Sequence, residues 1–201
     1  MHVFFEQIRR LVESRRPTTH HHPLATPPMH IRWLVKNDMP QVMAIERASF
    51  EVPWSEADFV RTLRTTNSIG QVCEVDRRVV GYMIYGFRPR ELQLWNLAVA
   101  PLARRQGLDT RVGVGTALVQ KLIDKLGIAK PGYERRSRLV VDVRESNLAA
   151  QLFFKSCGLR AVKVIRNFYR DIAEDVYRFE YRLPTGEFRE PAANRISGIP
   201  F

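Results

Sequence analysis

The chain has 201 residues, 45% of them hydrophobic, and a formal net charge of +11. This length is enough for one domain with its own core, and because no run of eighteen apolar residues occurs, the sequence predicts no membrane-spanning helix. The basic charge favours acidic partners such as RNA, ribosomes or anionic cofactors. Since the arginines are dispersed and no nucleic-acid motif occurs, we expect no direct binding to nucleic acid.

Cysteine spacing and the first residues bear on the cellular compartment. Cys73 and Cys157 lie far apart in the chain and match neither zinc nor redox spacing, so we expect two reduced core residues. Charged side chains are interspersed among the first apolar residues, which argues against a secretory signal. Together these features predict a cytoplasmic protein.

Residues 1–28 are predicted to form a flexible or non-conforming N-terminal extension, in which an apolar helical spacing is followed by a proline-rich linker. The histidines at 20–22 have no further ligand group nearby, so no metal site is expected. The patterned domain is predicted to span 29–184, and Met29 is an alternative start of translation to Met1. Residues 185–201 are expected to be a loose C-terminal tail.

The first half of the domain predicts one strand, two helices and a meander of three strands. Asp38 can cap the first helix, and Ser55 with Asp58 has the pattern of a capping box that opens the second helix. The turn at 76–78 predicts a hairpin. The helices are expected to end near residues 50 and 64, and the strands to cover 31–35, 69–75, 79–87 and 91–99.

The second half alternates helices and strands. The sequence predicts a helix from Gly113 to about residue 126, a strand, a second helix that Gly158 ends, and two final strands. The last four of these elements are expected over 139–143, 147–156, 161–165 and 176–183.

Residues 92–122 carry the clearest functional signal: an apolar strand, a turn rich in arginine and glycine, and an amphipathic helix. Glycines at a helix start allow backbone N–H groups to approach an anion, and the helix dipole favours negative charge there. Arg104, Arg105 and Arg111 add positive charge. The stretch therefore predicts a site for a pyrophosphate-bearing cofactor, although such glycines can also serve a purely steric purpose.

Four short motifs occur in a recognisable order along the domain. They are Phe50-Glu51-Val52-Pro53-Trp54-Ser55, Asn96-Leu97-Ala98-Val99-Ala100-Pro101, Arg104-Arg105-Gln106-Gly107 and Asp142-Val143-Arg144-Glu145-Ser146-Asn147. With the element order β-αα-βββ-α-β-α-ββ, they resemble the GNAT acetyltransferases, and within them the RimI-type enzymes that acetylate the N-terminal amine of a ribosomal protein.

The resemblance implies an α+β fold with a mixed central sheet of about six to seven strands and helices on both faces. It also implies acetyl-CoA as cosubstrate and no metal. The strand before the turn is expected to splay from its neighbour and to offer its backbone to the pantetheine arm. The implied cofactor-binding residues are Leu97, Ala98, Val99, Arg104, Arg105, Gln106, Gly107, Arg111, Gly113, Val114, Gly115, Thr116 and Asn147. For Asn147, a simple helix cap is an equally good interpretation.

The pyrophosphate loop departs from the family pattern Arg-x-x-Gly-x-Gly. Residues 108–113 can be an insertion inside the loop, or the motif can be shifted so that Thr110 takes the arginine position. We favour the shifted register at the helix, since Gly113 and Gly115 directly precede its amphipathic run.

The catalytic positions depart as well. Aligned with the RimI-type pattern, Asp142 takes the place of the glutamate base and Phe154 that of the tyrosine acid. Asp142 can deprotonate an ammonium through a water, or it can be a strand-end carboxylate paired with Arg144 or Arg138. Phenylalanine donates no proton, so Tyr169 is the first candidate for a replacement acid. Protonation of the thiolate by water and loss of catalysis are the alternatives.

A weak base suits an α-amine, whose pKa is near 8, better than a lysine, whose pKa is about 10.4. Phe50 and Trp54 are expected to line the acceptor groove, although Trp54 also suits a plug between the first two helices. Acidic residues that can hold the ammonium are Glu46, Asp171, Glu174 and Asp175.

We therefore predict an N-acetyltransferase that moves the acetyl group of acetyl-CoA to a protein N-terminal α-amine, of the ribosomal-protein type, by direct attack. The alternatives are a small-molecule amine acetyltransferase and, because of Phe154, a non-catalytic acyl-CoA-binding module. No membrane partner is expected, and the sequence leaves the oligomeric state open.

Overall fold

The computed structural model describes residues 28–65, 67–104, 113–128, 135–169 and 174–184, and within these ranges the side chains of 167–169 are not described. The strands are β1 (His30–Trp33), β2 (Ser68–Val75), β3 (Arg78–Phe87), β4 (Glu91–Val99), β5 (Arg138–Arg144), β6 (Arg160–Tyr169) and β7 (Glu174–Arg182). The α-helices are α1 (Met39–Arg47), α2 (Glu56–Leu63), α3 (Val114–Ile123) and α4 (Leu148–Ser156), and short 3-10 helices cover Lys36–Asp38 and Pro101–Ala103.

The strands form a single sheet in the order β1-β2-β3-β4-β5-β7-β6. The β4–β5 pair is parallel and the other neighbouring pairs are antiparallel. This is the mixed sheet and the element order that the sequence predicted, so the expected GNAT fold is confirmed.

Two apolar cores lie on opposite faces of the sheet because side chains alternate along β3. Tyr82 and Ile84 pack with α1 and α2, whereas Met83 and Tyr85 pack with α3 and α4. The predicted placement of helices on both faces is therefore confirmed.

The two predicted caps have different outcomes. At Ser55 the capping box forms: its Oγ accepts from the Asp58 N–H at 3.2 Å, and the Asp58 carboxylate accepts from the Ser55 N–H at 2.9 Å. The prediction for Asp38 was wrong, since its side chain makes no cap bond to α1. Asp38 instead accepts from the Val35 N–H and pairs with Arg32 at 2.7 Å, and the guanidinium lowers the pKa of this carboxyl.

Local turn chemistry sets two other boundaries. The β2–β3 loop consists of Asp76 and Arg77, with φ of 47° and 61°, the left-handed pair that a tight hairpin requires. Gly158 has φ of +86° directly after α4, as expected of a residue that ends a helix. The hairpin and the helix stop were both predicted.

Strand β4 contains a β-bulge at the point where it separates from β5. Ile84 pairs with Asn96 and Tyr85 with Leu94, so Trp95 is the extra residue of a bulge. A Cβ at Gly86 would overlap the Trp95 indole, so the bulge depends on that glycine.

Beyond the bulge β4 leaves β5. The two strands pair only from Glu91 to Leu94, opposite Arg138 to Val141, while β4 stays paired with β3 as far as Val99. The strand before the arginine-rich turn therefore splays from its neighbour, as predicted.

The predictions for the termini, 1–27 and 185–201, lie outside the described residues. Within the described ranges, the helices include none long and apolar enough to cross a membrane. Both cysteines are free, Cys73 fully buried and Cys157 partly so.

Candidate active site

Two adjoining cavities occupy the splayed region. The larger, of about 450 Å³, lies between the end of β4 and the first turns of α3 and α4. The smaller, of about 180 Å³, lies between the loop after α1 and the ends of β4 and β5. Five residues line both cavities, namely Phe50, Leu97, Asn147, Ala150 and Phe154. A ligand can therefore pass from one cavity to the other at the point where the strands separate.

The larger cavity collects most of the predicted cofactor residues that the structure describes. Its lining includes Leu97, Ala98, Val99, Arg104, Asn147 and the four consecutive residues Gly113, Val114, Gly115 and Thr116. The predicted residues Arg105, Gln106, Gly107 and Arg111 lie outside the described residues.

The start of α3 is open towards this cavity at Gly113. Gly113 is the N-cap, and the only atom among the described residues that a Cβ there would meet is the Thr116 Oγ1, at 3.9 Å. Gly115 is packed instead, because its Cβ would lie 3.1 Å from the Phe153 ring. The first glycine leaves room for an anion at the positive end of the helix, and the second allows close packing of α3 on α4.

The backbone of β4 faces the cavity at alternate residues. The Ala100 N–H donates to the Val80 oxygen at 2.8 Å, so Ala98 also faces β3. Because backbone groups alternate in direction along a strand, those of Leu97 and Val99 point to the side that β5 has left. Arg104 already binds one of these groups, donating from Nε to the Val99 oxygen at 2.8 Å.

Asn147 is a helix cap in this structure. Its Oδ1 accepts from the Ala150 N–H at 3.0 Å at the start of α4. The capping interpretation is thus seen directly, and the contact with the pantetheine arm stays a prediction.

Aromatic side chains line the smaller cavity. Phe50 and Trp54, the predicted substrate-binding residues, both lie on it. Trp54 also meets Phe59 edge to face at 5.3 Å, so it serves as a plug against α2 as well.

Asp142 also lines the smaller cavity, and it forms a bidentate ion pair. Its Oδ1 accepts from Arg178 Nε and its Oδ2 from Arg178 Nη2, each at 2.8 Å. The suggested partners Arg144 and Arg138 were therefore wrong, because Arg178 is the residue opposite Asp142 in the β5–β7 register. The carboxylate in turn raises the pKa of the Arg178 guanidinium.

Glu174 is also held in an ion pair and in hydrogen bonds. It pairs with Arg144 at 2.8 Å and accepts from both the hydroxyl and the N–H of Ser146, and the Ser146 hydroxyl is the main reason that the pKa of Glu174 is lowered. Glu174 therefore already has a cation partner, and Asp171 lies outside the described residues.

Glu46 forms a buried polar network that sequence reasoning found only in part. Its Oε1 accepts from the Trp54 N–H at 2.7 Å, its Oε2 accepts from the Tyr82 hydroxyl, and the Asn96 Nδ2 lies 3.3 Å and 3.4 Å from the two oxygens. Burial, and then the negative charge of Glu46, raise the pKa of Tyr82. Tyr82 and Asn96 were missed, since each lies on a strand face that apolar neighbours dominate.

The sequence pattern of the family described as "Acetyltransferase (GNAT) family" matches residues 39–159. The chain belongs to the GNAT acetyltransferase family.

Relatives of this GNAT protein have names that describe acetylation of protein N-termini. The [ribosomal protein bS18]-alanine N-acetyltransferase of Escherichia coli K12 is 31% identical over 138 residues, which are 68% of this chain and 84% of the relative. An N-alpha-acetyltransferase of Sulfurisphaera tokodaii is 32% identical over 150 residues, 70% of this chain and 84% of the relative. The crystal structure of the ribosomal-protein-S18-alanine N-acetyltransferase from Escherichia coli superposes with a TM-score of 0.63 at 27% identity, covering 87% of this chain and all of that one.

The protein is thus an acetyl-CoA-dependent N-acetyltransferase. The open helix start at Gly113 suits a phosphate group, and the β4 backbone at Leu97 and Val99 suits the amide groups of an extended arm. Across the described ranges, the His, Cys, Asp and Glu residues form no cluster of three or more that could hold a metal ion.

Phe154, at the position that the RimI-type pattern gives to the general acid, is 5% exposed and lies where the two cavities meet. Tyr169 is the last residue of β6 and pairs with Glu174, and its side chain is not among those described. The roles of Asp142 as base and Tyr169 as acid therefore stay predictions.

Proposed function

We propose that the acetyl acceptor is the α-amine of a protein N-terminus, of the ribosomal-protein type. The observation that carries this proposal is the smaller cavity, which is narrow, aromatic on one wall at Phe50 and Trp54, and joined to the larger cavity beside Leu97. An extended N-terminal segment can place its first residue in such a space, with its amine at the junction. The named activities of the two relatives support the same class of acceptor.

The chemistry of the amine supports the proposal further. Only an uncharged nitrogen attacks a thioester, and an α-amine of pKa near 8 gives up its proton far more readily than a lysine of pKa about 10.4. The acidic groups at this cavity are carboxylates, Glu46 and Asp142, which are weak bases. They match the α-amine better than the lysine.

The residues of the chain position a direct transfer. The acceptor nitrogen, lying at the junction beside Phe154, attacks the thioester carbon of acetyl-CoA, and the sulfur leaves. A backbone N–H of β4 aimed at the carbonyl oxygen stabilises the charge that develops there, an effect of about 3 kcal/mol in other enzymes. Proximity supplies much of the remaining acceleration.

Acetyl transfer to matched amines tests the proposal. One peptide has a free N-terminal alanine and an internal lysine, the second is the same peptide with its α-amine blocked, and the third acceptor is a polyamine. We expect acetylation of the first peptide only, at its α-amine, as located by tandem mass spectrometry. Turnover of the polyamine without turnover of the free peptide would contradict the proposal and favour a small-molecule acetyltransferase.

A further inference from the structure

The smaller cavity is lined by a buried carboxylate that has no cation among its hydrogen-bond donors in the part of the chain that the structure describes. Glu46 is 1% exposed and lines this cavity. Its hydrogen-bond donors among the described residues are the Trp54 N–H, the Tyr82 hydroxyl and the Asn96 amide, all of which are uncharged. Burying a carboxylate without a counter-charge is costly, so a cation that enters the cavity gains from its presence.

The other carboxylates near the cavity differ in this respect. Asp142 shares two hydrogen bonds with Arg178, and Glu174 pairs with Arg144. A proton placed on Asp142 has to break one arm of a bidentate pair, and charge-assisted bonds of this kind are the strong ones. Glu46 can take a proton while it keeps its neutral neighbours, because a protonated carboxyl both donates and accepts.

We propose that Glu46 attracts the incoming ammonium and accepts its proton through one water molecule, in place of Asp142. This inference rests on the proposed transfer to an α-amine, which enters as an ammonium at neutral pH.

The proton balance is simple. One N–H bond of the ammonium breaks, and the proton passes through the water to a Glu46 oxygen. The freed electron pair on nitrogen forms the new C–N bond as the C–S bond breaks and sulfur leaves with its electron pair. The second proton of the nitrogen neutralises the thiolate, and Glu46 returns its proton to solvent before the next turnover.

Three ionisable groups face Glu46 from the surrounding strands. Tyr82 on β3 donates to it, and Asp142 and Arg144 on β5 line the same cavity, with Asp142 paired with Arg178. Tyr82 stays neutral, since its pKa is raised, and therefore acts as a donor that stabilises the Glu46 anion.

The pH dependence of kcat/KM with the free N-terminal peptide, measured from pH 4 to 9, tests the proposal. The normal enzyme should lose activity at low pH, where a carboxylate no longer serves as a base. Glu46→Gln keeps the volume and an acceptor for the Trp54 N–H, and we expect it to lose about 100-fold at pH 7, a typical contribution of a general base. Its rate should then rise tenfold per pH unit towards the pKa of the amine.

Two further variants separate a proton acceptor from a structural role. The fall in kcat/KM at low pH is the acidic limb of the profile. Tyr82→Phe removes one hydrogen-bond donor from Glu46 and should move this acidic limb to higher pH, which a general loss of packing does not do. Asp142→Asn should keep the acidic limb. The proposal is overturned if Asp142→Asn, and not Glu46→Gln, shows the tenfold rise per pH unit up to the pKa of the amine, or if Tyr82→Phe leaves the acidic limb in place.

Failure of the proposed role of Glu46 can be distinguished from failure of the proposed acceptor. If the peptide is not acetylated but another amine is, the acceptor class is wrong, and the same pH profiles with that amine still decide the role of Glu46.

Discussion

Two tyrosines of β3 provide a matched test of the buried network. Tyr82 and Tyr85 are both 0% exposed and lie on opposite faces of the sheet. The Tyr82 hydroxyl donates to Glu46, whereas the Tyr85 hydroxyl has no hydrogen-bond partner in the part of the chain that the structure describes. Tyr82→Phe therefore removes a hydroxyl that is hydrogen-bonded, and Tyr85→Phe removes a buried hydroxyl that is not.

The expected effects differ in sign. A hydrogen bond to a charged group contributes about 1.5–3 kcal/mol, so Tyr82→Phe should lower the free energy of unfolding by about 2 kcal/mol. Burying an unpaired hydroxyl costs about 1–3 kcal/mol in protein mutational data. Tyr85→Phe should therefore be neutral or raise the free energy of unfolding by about 1 kcal/mol.

Urea unfolding followed by circular dichroism measures both changes, and thermal unfolding should separate the two variants by about 4–12 °C, at about 2–4 °C per kcal/mol for a chain of this size. The m-values should match, since the same surface unfolds. Equal losses in the two variants would refute the reasoning, because they would show that the network around Glu46 adds nothing beyond burial of the rings.

Three further outcomes are expected. Phe154→Tyr places a hydroxyl at the position that the RimI-type pattern gives to the general acid, and it should leave kcat unchanged or raise it, up to about 100-fold; a large loss would show that the position needs an apolar ring. Gly86→Ala should lower the free energy of unfolding in urea by about 1–3 kcal/mol through overlap with Trp95, and equal stability with the parent would mean that the bulge relaxes freely. Burial raises the pKa of the Cys73 thiol to about 11, so iodoacetamide at pH 8.5 should label Cys73 in urea and not in the native protein.

Features set by neighbouring residues were predictable from the sequence. The Ser55 capping box, the Asp76–Arg77 hairpin and the helix stop at Gly158 each depend on a few adjacent residues and their backbone preferences. Asp38 shows the limit of such reasoning. Its side chain had an acceptable local role as a cap, but Arg32 and the Val35 N–H offered stronger partners once β1 had formed.

Features set by strand pairing were not predictable. The ion pair of Asp142 with Arg178 depends on the β5–β7 register, 36 positions apart in the chain. The network of Glu46 joins α1 to β3 and β4, and its members are polar residues on faces that otherwise pack as core. The strand motif predicted where the sheet opens, but it did not predict that Glu46 lies there with only uncharged hydrogen-bond donors among the described residues.

Ribosomal proteins incubated with the purified enzyme and isotope-labelled acetyl-CoA test the central claim most directly. Mass spectrometry of the digested mixture should place the label on an N-terminal α-amine, with lysines unlabelled. Label on lysine side chains alone, or on none of the proteins while a small amine added to the same mixture is acetylated, would contradict the account.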